Sequence, residues 1–257
     1  MRHLYDRIGI GYEAHRCADP RLAAAVVHAL GDAETVVNVG AGAGSYEPVD
    51  RFVVAVEPSL AMIRQRPPQA APAVQASAMD LPFRDGLFTA GLAILTVHHW
   101  PDRTRSLTEL ARVTSRRIVI VTWDPAYAGF WLVEDYFPAI VDIDRRIFPS
   151  MEEFRRILGP TEVRPFPVPH DCTDGFLGAY WRRPWAYLDP GVRGAMSSFA
   201  GIGDTAEGLD RLRSDLTDGA WKRRYGHLLE KPELDLGYRL VIADRGGITS
   251  GAPYKRI

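Results

Sequence analysis

Residues 36–59 read VVNVGAGAGSYEPVDRFVVAVEPS, and no other stretch limits the fold as much. Residues 36–39 and 52–56 are short β-branched runs, continuous enough in apolar character for strands buried on both faces of a parallel sheet. Gly40, Ala41, Gly42, Ala43 and Gly44 follow the first run. Glycine reaches φ > 0 without steric cost and lets a ligand approach the main chain closely. The second run ends on Glu57, where a carboxylate at a strand tip can accept both hydroxyls of a ribose. Strand, glycine turn, strand and terminal acid together predict a nucleoside site.

The spacing narrows the nucleoside. A dinucleotide fingerprint is G-x-G-x-x-G, but here the pattern is G-x-G-x-G and Ser45 stands at the dinucleotide glycine. No lysine follows, which excludes a triphosphate loop. Only residues 40–51 separate the two runs, and Pro48 lies among them, so a full crossover helix does not fit. A G-x-G-x-G turn with an acid at the next strand tip resembles motifs I and II of class I S-adenosylmethionine-dependent methyltransferases. Pyrophosphate binding leans on a helix dipole, whereas that sulfonium nucleoside carries no phosphate, so the lost helix favours it.

Further along, residues 73–76 read as a short third strand, 88–95 as a fourth and 118–121 as a fifth. Helix starts are expected at Asp19-Pro20, Pro58-Ser59, Asp102 and Ser150, the last with Glu153 as a capping box. Pro165 and Pro167 confine residues 161–168 to a sheet edge. The alternating stretch 236–243 reads as the final strand. The Leu81-Pro82-Phe83 turn and the His98-His99-Trp100 strand tip make residues 34–124 similar to the ubiquinone/menaquinone-biosynthesis type of methyltransferase domain, methyltransferase type 11.

That resemblance implies an α/β fold: a Rossmann-like seven-stranded, mostly parallel twisted sheet, helices on both faces and a C-terminal helical insert. It places the last strand antiparallel beside the fifth. The expected organisation is an N-terminal arm and first helix (1–33), an S-adenosylmethionine-binding domain (34–168), a helical lid insert (169–235), and a final strand with a loose tail (236–257). Helices are expected over 176–188, 191–199 and 206–230.

By the same resemblance, Gly40, Ala41, Gly42 and Gly44 border the methionine part and the ribose, and Glu57 holds the ribose hydroxyls. Pro58, Ser59 and Met62 pack near the adenine, with Ser77, Ala78 and Met79 at its edge, while Leu95 and Thr96 lie under the methionine portion. Asn38 and Ser77 stand where the family often has acids. Both Met62 and Met79 also suit plain core filling. His98 and His99, at a carboxyl strand end, are candidate bases toward an acceptor or structural histidines fixing the loop. Tyr12 and Arg16 are candidates to fold over the cofactor, or belong to a surface arm.

Composition bounds the partners. With 31 basic and 32 acidic residues and a net charge of -1, nothing calls for nucleic acid or an anionic membrane. Cys17 and Cys172 make no metal-site spacing and no disulfide framework, and suit a reducing cytoplasm. No signal peptide is visible, and no apolar run is long enough to span a bilayer. The expected activity is methyl transfer to a small-molecule acceptor by in-line displacement. Two alternatives stay open: non-methyl chemistry on the same fold with the same cofactor, and a non-catalytic binding module.

Overall fold

The computed structural model describes residues 17–245, so Tyr12 and Arg16 lie outside the described residues. Helix α1 (Pro20–Leu30) is capped by the Asp19 carboxylate, which accepts from the Arg21 N–H, with proline in its first turn. Strands β1 (Thr35–Val39), β2 (Phe52–Val56), β3 (Ala73–Val74), β4 (Phe88–Ile94) and β5 (Thr114–Trp123) run parallel. They are followed by β6 (Glu162–Pro165), β7 (Val168–Pro169), β8 (Glu233–Leu234) and β9 (Tyr238–Asp244).

The main sheet has seven strands in the order β3-β2-β1-β4-β5-β9-β6. Strand β9 is antiparallel to β5 and to β6, and β6, the proline-bearing strand, takes the edge. This is the mostly parallel, Rossmann-like sheet that the resemblance implies. The strand order reverses between β1 and β4, and open α/β sheets bind ligands at the carboxyl ends beside such a reversal.

Residues 40–51 form turns with no helix, as the short crossover requires. The first helix after β2 is the five-residue α2 (Leu60–Arg64), capped by Ser59. Alternation along β1 divides the core. Val36 packs with Leu22, Val26 and Leu30 of α1. Val37 and Val39 face the other layer, where Leu107 and Leu110 of α3 (Arg103–Val113) pack. Helix α4 (Pro138–Ile147) belongs to the first layer through Ile140, and α5 (Met151–Leu158) to the second through Phe154.

Three local expectations change. The capping box of α5 is half formed: Ser150 accepts from the Glu153 N–H, but the Glu153 carboxylate pairs with Arg103 at 2.9 Å. The helix expected over 176–188 is two 3-10 turns, Leu177–Tyr180 and Pro184–Leu188, because Pro184 has no N–H to continue a helix. The remainder splits into α6 (Pro190–Gly194), α7 (Ser197–Gly201), α8 (Ala206–Thr217) and α9 (Ala220–Tyr225), with Gly219 breaking the last pair at φ 80°. A π-helical turn, Leu132–Tyr136, and α4 also form where no element was expected.

The antiparallel pair β7-β8 closes the base of the segment between them. That segment is held by aromatic packing. Trp131 meets Tyr136, Tyr187 and Trp221 edge to face, and its indole N–H donates to the Trp181 carbonyl at 3.1 Å. Trp181 and Tyr187 are fully buried, so most of this aromatic content is core. Among the described residues no helix is long and apolar enough to cross a membrane.

Candidate functional site

The carboxyl ends of β1, β2 and β4 meet in a crevice of about 280 Å³. Its floor is the glycine turn. The N–H groups of Gly40 and Ala41 both donate to the Val56 carbonyl, at 2.8 and 3.1 Å, which folds the turn over the tip of β2. Gly40 has φ 74°, and a Cβ there would lie 2.1 Å from Thr96 Oγ1, so only glycine lets β1 and β4 close at this point.

Glu57 is 7% exposed. Its Oε2 accepts from the Gly42 N–H at 2.8 Å and its Oε1 from the Ser59 N–H at 2.9 Å. The acid therefore ties the glycine turn to the start of α2. Ser59 Oγ in turn accepts from the Met62 N–H, which sets Met62 against the crevice. On the opposite wall, Ser77 Oγ accepts from the Met79 N–H and shapes the turn carrying Ala78 and Met79.

A buried ion pair braces this floor from behind. Arg66 and Glu47 have side chains 5% and 6% exposed and approach to 2.7 Å. Arg66 also donates to the Gly42 and Ala71 carbonyls, while Glu47 accepts from Asn38 Nδ2 and the Ala71 N–H. Replacing Arg66 with methionine leaves the Glu47 charge buried without its cation. That loss is expected to cost about 3 kcal/mol in urea unfolding. Stability unchanged within error would show that the pair is not a brace.

Two non-glycine residues with positive φ lie on the crevice wall: Tyr46 at 63° and Leu95 at 49°. Such backbone is held only where surrounding contacts over-determine it, and it gathers at ligand sites. The Tyr46 hydroxyl donates to Asp174 Oδ2 at 2.9 Å, tying the wall to the segment after β7. Leu95 follows the last residue of β4 and stands three positions before His98.

The histidines separate. His99 lines the crevice, and burial pulls its imidazole down to about 4. His98 stacks on Phe148 with centroids 4.0 Å apart, and burial, reinforced by His99 beside it, holds it well below the ordinary histidine range. Its Nδ1 is buried without a hydrogen-bond partner. Both rings are neutral at physiological pH. His98 does not line the crevice; it faces a small space of about 50 Å³ that Leu95 also borders. Phe148, Leu177, Ser198 and Tyr238 join this space to a larger cavity of about 240 Å³ at the end of β5. Leu95 thus stands between the crevice and the small space, and the larger cavity lies beyond that space.

The sequence of residues 37–121 matches the family model of a methyltransferase domain. A methyltransferase candidate from an antibiotic biosynthesis pathway of Anabaena variabilis is 33% identical, with 89% of this chain and 98% of that chain covered at a TM-score of 0.80. The chain belongs to the S-adenosylmethionine-dependent methyltransferases. Its cofactor is S-adenosylmethionine. Two more distant structures share the fold of this methyltransferase. A SAM-dependent methyltransferase from Thermotoga maritima is 22% identical, covering 63% of this chain and 84% of that one at a TM-score of 0.52. The [4+2]-cyclase SpnF is 16% identical, covering 88% and 80% at 0.51.

Most of the residues singled out in the methyltransferase sequence come together in the crevice: Gly40, Ala41, Gly42, Glu57, Pro58, Ser59, Met62, Ser77, Ala78, Met79, Leu95, Thr96 and His99. Gly44 does not. It lies on the outer side of the turn, where an added Cβ would meet Ala70, Arg66 and Glu47. His98 is displaced by the 3-10 turn Val97–His99, which turns successive rings into different spaces. Sequence reasoning missed Tyr46, Trp100 and the Glu47–Arg66 pair. Trp100, directly after the histidines, carried a readable signal; Glu47 and Arg66, far apart along the chain, carried none.

Proposed function

We propose that the crevice holds the adenosyl part of S-adenosylmethionine between Glu57 and Met79 and its sulfur end beside Leu95, and that the acceptor is a small molecule seated in the cavity on the other side of Leu95. The observation that carries this reading is a run of shared walls: Leu95 borders both the crevice and the small space, and Phe148, Leu177, Ser198 and Tyr238 border both the small space and the larger aromatic cavity. The residues fit the cofactor: Glu57 presents a braced carboxylate, Gly40 leaves no Cβ in the way, and Met62, Ala78 and Met79 offer apolar contact for a base. When bound, the cofactor supplies a methyl group on a positively charged sulfur that departs with the bonding electrons.

The chain's own task is alignment and exclusion of water. Leu95, held in its unusual backbone conformation, keeps an apolar edge where donor and acceptor meet. His99 serves as a neutral wall residue rather than a proton store. Taking a full proton on a group held at about 4 would cost about 4 kcal/mol at neutral pH. The segment between β7 and β8 acts as a wall of the acceptor cavity, through Leu177 and Ser198, rather than as a flap over the cofactor. A cavity of this size suits a small acceptor and not a polymer.

Crystals soaked with S-adenosylhomocysteine test the arrangement. The ribose is expected on Glu57 and the sulfur next to Leu95, turned toward the small space shared with His98. A sulfur facing bulk solvent, or an empty crevice, would end this reading.

A further inference from the structure

We propose that the acceptor is an amine whose protonated nitrogen docks on Asp144 in the larger cavity, while a different atom of the same molecule receives the methyl group near Leu95. This deepens the function proposed above and rests on it.

Asp144 is the starting observation. It lies on α4, is 6% exposed, and lines the larger cavity. Its partner is the Ser198 hydroxyl from α7, and no salt bridge reaches it among the described residues. A carboxyl group in such surroundings costs folding free energy that an apolar side chain of equal volume would not.

The chemistry around it selects one kind of ligand. Trp123, Tyr127 and Phe130 supply aromatic surface to the same cavity. Rings beside a carboxylate are a receptor for a positively charged nitrogen, which binds ring faces and ion-pairs at once. Glu134 and Asp142 stand at the same cavity against a single cation, Arg145, so the local charge is negative even with Asp144 neutral. A neutral hydroxyl would use none of this field, and an anion would be repelled by it.

The layout also separates docking from transfer. Asp144 does not border the small space beside Leu95, whereas Ser198 borders both cavities. A nitrogen on Asp144 is therefore held away from the donor. A protonated amine has no lone pair to attack carbon in any case. The atom methylated is a second nucleophile, carried by the flat or apolar body that reaches toward His98 and Leu95.

The test uses the full chain loaded with S-adenosylhomocysteine and two probes of one shape, phenethylamine and 2-phenylethanol. Calorimetry at about pH 8 is expected to show the amine binding at least about tenfold tighter than the alcohol. Asp144→Asn is expected to erase that preference with S-adenosylhomocysteine affinity unchanged, which also shows the variant is folded. Glu152→Gln, which removes an exposed carboxylate that lines neither cavity, keeps it. The proposal is overturned if the amine binds no better than the alcohol, including the case in which neither binds. It is equally overturned if Asp144→Asn retains the preference. Failure of wild-type protein to take S-adenosylhomocysteine would instead reject the crevice assignment, so the two failures are told apart.

Discussion

Glu57→Ala lowers affinity for S-adenosylmethionine at least about tenfold, measured by calorimetry on folded protein. Two effects add. The first is direct: a carboxylate that hydrogen-bonds a ribose is worth about 1.5–3 kcal/mol, since one partner is charged. The second is indirect. Glu57 now receives the Gly42 and Ser59 N–H groups, so its loss releases both the glycine turn and the first turn of α2. Glu57→Gln separates the two. It keeps one acceptor oxygen but turns an NH₂ group toward a main-chain donor, so it is expected to fall between wild type and alanine. Wild-type affinity in the alanine variant would remove the ribose assignment and leave Glu57 as a brace only.

How much of this was readable beforehand depends on how local each cause is. The glycine turn and Glu57 were legible because a strand tip, a tight turn and the next strand tip are fixed within residues 36–59. Asp19, Ser59, Asp102 and Ser150 were legible as caps for the same reason: each bonds an N–H two or three residues on. The edge position of β6 followed from a missing donor at Pro165. What failed was non-local. Glu153 had a rival for its role as a capping partner in Arg103, fifty positions away in sequence. The break before Pro184 was visible in principle, but the aromatic spacing around it imitates a helix. Gly44 looked equivalent to Gly40 and Gly42, and only the folded turn shows that it faces the ion pair instead. Asp144 sits in an ordinary amphipathic helix pattern beside Asp142, and nothing in the sequence tells the buried acid from the exposed one.

That distinction gives the other large effect: Asp144→Asn stabilises the protein at about pH 8 by up to about 4 kcal/mol. Burial raises the Asp144 carboxyl from 3.8 to about 7, with the Ser198 hydroxyl opposing only in part. Between those values the folded chain keeps a proton that the unfolded chain has lost. The stability tied to this group is complete below 3.8 and is lost as pH rises through about 7. At about pH 8 wild type bears the whole difference, about 4 kcal/mol, and asparagine bears none of it. Unfolding in urea at about pH 8 and about pH 4 is expected to show the gain at the first and not at the second. Glu134, Asp142 and Arg145 face the same cavity, and Tyr127 and His98 stay neutral across this range. A gain of equal size at both pH values would mean that packing, and not charge, sets the cost. Saturating phenethylamine is expected to narrow the gap at about pH 8, because an ammonium beside Asp144 returns the ionised form to favour in wild type and has no counterpart in the variant. An acid that weakens the empty fold and strengthens it only with a cation in place has the energetics of a binding group.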